Sequence, residues 1–93
     1  MPYAAFIELV RAWQGSNFTD FASVESFFLT NILPIQDPDR LRFHVEIHRL
    51  MKLIKSDLEI LKITRSPDKR EIYLQKIKER SDSLIAICQS CMC

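Results

Sequence analysis

Cys88, Cys91 and Cys93 crowd the last six residues of a 93-residue chain, and thiols at that spacing suggest two chemistries. Cys88 and Cys91 sit three apart, so on a helix they point the same way and as thiolates could ligate zinc or form a redox pair. Zinc would need further ligands, and His44 and His48, one helical turn apart, are the two histidines the chain has. An isolated Cys-x-x-Cys is a weak signal, however, and free cysteine on the apolar face of a helix usually serves as a small buried hydrophobe. The expectation is an inert thiol pair with no bound metal and no cofactor. Cys88, Cys91, His44 and His48 are the candidates if a metal is held.

A second chemistry would be phosphate recognition. Twelve of the thirteen Lys and Arg residues lie after residue 37, and a basic face on Arg40, Arg42, Arg49, Lys52 and Lys55 onward could meet nucleic acid. Acids are interleaved with these bases, and the net charge is only +1, so a solvated, salt-bridged surface is the plainer account. Lys62, Arg65, Lys69 and Arg70 form the one tight cluster and could face a phosphate or an acidic partner patch. No enzymatic constellation is legible. One glycine leaves no room for a phosphate-binding loop, and no carboxylate pair sits in an apolar setting.

Helices must position these groups. From Tyr3 to Gln14 the apolar residues Phe6, Leu9, Val10 and Trp13 fall on one helical face, and Gly15 stands where a left-handed C′ residue would end the helix. Ser16 and Asn17 offer N-caps for a second helix running to about Asn31, with Phe21, Val24, Phe28 and Ile32 as its stripe and Pro34 as its stop. Asp37-Pro38-Asp39 predicts the start of a third helix reaching Ile63, with the seam Ile47, Met51, Ile54, Leu58 and Leu61 in heptad rhythm. Leu41, Phe43, Val45 and Ile47 also alternate in the period of a strand, but no second alternating segment exists to pair with one, so helix is the reading. Ser66-Pro67-Asp68 starts a fourth helix towards Cys91. Its stripe is Leu74, Ile77, Ser81, Leu84, Cys88 and Cys91, and residue i of the third helix faces about residue 131 minus i.

The predicted fold is all-α in a single domain over 1–93: a long antiparallel hairpin (36–93) carrying two short apolar front helices (1–35). Twenty of the first 35 residues are hydrophobic, which points to a surface that meets a partner. The favoured function is a non-enzymatic protein-interaction module, a regulator or adaptor, docking on another protein and self-associating as a homodimer through Phe6, Val10, Trp13, Phe21 and Phe28. A nucleic-acid-binding regulator and a zinc or thiol redox protein are the alternatives. No run is apolar enough for a membrane span and the first residues do not read as a secretory signal, so the expected compartment is the cytoplasm.

Overall fold

A computed structural model describes residues 2–92, which form four helices and, among the described residues, no strand. They are α1 (Pro2–Gly15), α2 (Phe21–Phe27, continued by a wider π turn over Phe28–Ile32), α3 (Leu41–Ile63) and α4 (Pro67–Cys91). The expected hairpin is present. Arg40 Nε donates to the Cys91 carbonyl at 3.0 Å and Arg70 Nη1 to the Leu61 carbonyl at 2.8 Å. Both pairs obey the register predicted from the position of the turn.

The front helices pack along the open end of this hairpin. Tyr3 bonds His44 of α3, while Gln14 Nε2 donates to Ser81 Oγ at 2.7 Å and Asp82 Oδ1 at 2.8 Å on α4. Hence α1 runs antiparallel to α4. Phe28 lies against His48 and Glu25 pairs with Lys55, so α2 runs antiparallel to α3. The result is an up-down-up-down bundle with two short and two long members, 43 Å in its longest dimension.

The bundle interior is built by the residues the sequence pattern marks: Ile47, Met51 and Ile54 from α3, and Ile77, Leu84, Cys88 and Cys91 from α4, are buried. Each large aliphatic side chain removed from water contributes about 1.5–3 kcal/mol. Ser81, the one polar member of the α4 stripe, is also buried and fully bonded, accepting from Gln14 and donating to the Lys78 carbonyl.

Three local features depart from the expected boundaries. The left-handed residue that ends α1 is Asn17 (φ 60°), while Gly15 is still helical. The Phe18 amide bonds the Trp13 carbonyl and the Asn17 amide bonds the Gln14 carbonyl, the paired bonds of a Schellman motif with Asn at C′. Its position is selected by the apolar contact that accompanies such a cap: the Trp13 and Phe18 rings meet edge-on at 5.0 Å. A cap at Gly15 would have set Ser16 against Arg11, with nothing to pack. Asn17 is therefore no N-cap; α2 begins after Asp20, whose Oδ2 instead accepts from Ser23 Oγ at 2.6 Å.

In the second half of α2 the Leu33 amide reaches back five residues to the Phe28 carbonyl. Val24, Phe28 and Ile32 are spaced by four and all buried; a wider turn offsets the drift that this spacing accumulates in a 3.6-residue helix. Finally, Asp37-Pro38-Asp39 forms a turn before α3 rather than its first residues. Asp37 Oδ1 accepts the Asp39 amide at 3.0 Å, and its other oxygen pairs with Arg40, so the carboxylate closes a turn of its own and α3 starts at Leu41.

Candidate docking surface

The aromatic front helices are interior. Phe6, Val10, Trp13 and Phe28 are buried and Phe21 is half-buried. Phe6 stacks on Phe27 at 5.9 Å, and Trp13 meets Phe21 at 5.4 Å. The sequence expectation that these five side chains anchor a partner is corrected accordingly: α1 and α2 spend their aromatics on each other and on the hairpin, and four of the five offer no surface.

The thiols and histidines are brought to the same end of the bundle but not into a ligand set. Cys88 and Cys91 are free and buried. Burial, with the neighbouring Cys91, pushes the Cys88 thiol up to about 12. Burial raises the Cys91 thiol as well, against the opposing pull of Arg40. Burial therefore disfavours the reactive thiolate at both positions. His44 is buried with its Nε2 2.7 Å from the Tyr3 hydroxyl, and His48 lies 5.6 Å from the Phe28 ring. Among the described residues no group of three or more His, Cys, Asp or Glu side chains is placed to hold a metal. Cys93 lies outside the described residues.

Burial holds the His44 imidazole below its ordinary pKa, with Asp37 pulling it up and Arg40 pushing it down. The Tyr3 hydroxyl is raised, again chiefly by burial. The pair fastens the start of α1 to α3 as a neutral hydrogen bond. Tyr3 was not singled out by the sequence, because a tyrosine at the third residue of an amphipathic helix reads as one more apolar position.

The basic tip is smaller than its composition suggests. Lys62, Arg65, Lys69 and Arg70 are all exposed, but Arg70 is engaged by the Leu61 and Thr64 carbonyls, closing the last turn of α3. Elsewhere Arg40 pairs with Asp37, Arg49 with Glu46, Lys55 with Glu25, Lys78 with Asp82, and Arg80 with the buried Asp57. These pairings favour the salt-bridged account of the charge over a continuous phosphate-binding stripe.

Large apolar side chains reach solvent at Ile63 and Ile72 near the hairpin tip, at Met92 after α4, and on the outer side of α2 and α3. Leu41 and Val45, one turn apart, are 60% and 61% exposed, and Leu29 and Leu33 are exposed across from them on α2. Leu33, Leu41 and Val45 line a shallow groove of about 350 Å³ together with His44, His48, Arg49 and Lys52. The sequence carried a signal for this face. Leu41 and Val45 alternate with Phe43 and Ile47, and a helix cannot bury residues two apart on one side. Ile47 turns inward and Val45 outward, so alternation within a helix marks two apolar faces.

No helix among the described residues is long and apolar enough to cross a membrane. No family model, curated protein or solved structure matches this chain.

Proposed function

We propose that this chain is a non-enzymatic helical interaction module, a regulator or adaptor acting in the cytoplasm, and that its docking surface is the Leu33–Leu41–Val45 groove. The observation that carries this reading is the exposure of Leu41 and Val45 on a helix whose opposite stripe, Ile47, Met51 and Ile54, already fills the core. A structural role accounts for that stripe and leaves the outer pair unexplained. Clustered apolar side chains with a polar rim are the usual anatomy of a protein contact. The rim here is Arg49, Lys52 and His48.

The test is site-specific photocrosslinking in the native host. A photoreactive side chain at Val45 is expected to capture a discrete protein, and the same group at the exposed, polar Ser83 is expected to capture none. Equal labelling from both positions would end the reading.

A further inference from the structure

We propose that the tip of the hairpin docks on an anionic lipid surface, with Ile63 inserted among the headgroups and the bases around it paired to headgroup phosphates and carboxylates. Two observations at one place carry it. Ile63, the last residue of α3, is 79% exposed, more than any other large apolar side chain among the described residues. Residues 62–70 around it hold Lys62, Arg65, Lys69 and Arg70 against a single acid, Asp68. Among the described residues Lys62, Arg65 and Lys69 enter no ion pair, and Arg70 is held by carbonyls, which leave its charge unneutralised. The basic run at Arg49, Lys52 and Lys55 differs in this respect, since Arg49 is paired with Glu46 and Lys55 with Glu25.

The shape of this end suits a flat partner. The last turn of α3, the connection and the first turn of α4 lie within about 5 Å of one height along the hairpin axis, so their side chains reach a common plane whichever side of a helix they leave from. A membrane offers both things that this end presents itself to, anionic groups at the surface and hydrocarbon beneath them. Lys62 and Lys69 can lay their aliphatic stems at that boundary with the ammonium groups outward. A nucleic-acid backbone would satisfy the bases and leave Ile63 in water. Each base near an anionic surface raises the partition about fivefold, and one inserted isoleucine raises it several-fold, so the contact is weak and reversible. With the hairpin upright on its tip, Val45 stands 18 residues from Ile63, about 27 Å along the helix, and the groove stays clear of the headgroups. The lipid contact does not depend on the reading of that groove.

Co-sedimentation of the full chain with phosphatidylcholine vesicles, either pure or carrying about one-third phosphatidylserine, tests the proposal. The expected result is binding at low salt to the anionic vesicles only, weakened several-fold at physiological salt. Arg65→Glu is expected to weaken it at least about tenfold, while Arg42→Glu, the same charge change at the far end of α3, leaves it within about twofold because it lies beyond the screening length. Ile63→Ser keeps every charge in place and is expected to weaken binding several-fold, which separates insertion from plain electrostatic adherence. All three residues are exposed, and circular dichroism melts check that the variants fold. No binding to the anionic vesicles at low salt, binding indifferent to Ile63→Ser, or equal losses from Arg42→Glu and Arg65→Glu would each overturn the tip contact. Tighter binding to a nucleic-acid duplex than to the vesicles would overturn the lipid surface as its partner. Capture of a protein from Val45 would stand through any of these failures, because it reads the other end of the bundle.

Discussion

The base of the bundle and the tip of its hairpin are made from the same two helices, yet they are different materials. In the base α1 and α2 flank the hairpin, and even polar side chains such as His44 and Ser81 are closed off from water. Between Leu58 and Lys76 no residue is fully buried, and Ile63 is 79% exposed. Two helices share only a contact line, whereas four enclose an interior, so burial here follows the number of helices at a given level more than the hydrophobicity of the residue. The pair Asp57–Arg80 marks the border, one buried carboxylate and one half-covered guanidinium bridging α3 and α4 where the front helices end.

Matched truncations should expose this difference most strongly. Phe28→Ala, in the base, is expected to cost about 3–5 kcal/mol in urea unfolding, whereas Leu74→Ala, half-buried near the tip, should cost about 1 kcal/mol. Equal losses would mean that the tip is packed as tightly as the base. At the border, Arg80→Met leaves the Asp57 carboxylate buried without its partner. About 2 kcal/mol of destabilisation is expected, below the figure for a fully buried pair because Arg80 is partly solvated, and Asp57→Leu added to it should recover most of the loss. If the double variant is no more stable than Arg80→Met, the pair is not the border lock.

The sequence pattern was sufficient for the long elements. The seam of α3, the proline-marked start of α4 and the hairpin register follow from spacing alone, because a short connection forces neighbours to be antiparallel and leaves one register that buries both stripes. What spacing could not say was which apolar residues would find partners inside the chain. Phe6 and Trp13 look the same in sequence whether they meet α4 or another protein, and only the position of α1 against α4 settles it. The π turn at Phe28 and the cap at Asn17 were hidden for a related reason. Each is chosen by a tertiary contact, a buried line of side chains in one case and the Trp13–Phe18 rings in the other, which overrides the local preference that favours Gly15.

The foot of the base gives a smaller effect, dependent on pH. Because burial keeps the folded pKa of His44 low, the unfolded chain takes up its proton first as the solution is acidified. The unfolded state then binds more protons, so this contribution to stability is complete above the ordinary histidine value of about 6.5 and is lost progressively as the pH falls below it. Urea midpoints measured between neutrality and mild acid should show that slope. Replacing both partners, Tyr3→Phe with His44→Leu, should flatten it without leaving a buried hydroxyl unpaired. A slope that persists unchanged would place its source elsewhere.

The smallest expected effect is also the sharpest test of where the base ends. If the left-handed cap of α1 is at Asn17, then the chain's one glycine stands two residues too early. Gly15 is helical, and a Cβ added there meets nothing within 4 Å, so Gly15→Ala should stabilise by about 0.5–1 kcal/mol. Asn17→Gly should add a few tenths more by relieving the Cβ at φ 60°, whereas Asn17→Ala should cost about 1 kcal/mol. Were Gly15 itself the cap, as its position in the sequence suggests, Gly15→Ala would be destabilising by about the same amount. The sign of that one substitution, read from a thermal melt, decides whether the Trp13–Phe18 contact or the glycine sets the length of α1, and with it the level at which the four-helix base gives way to the two-helix tip.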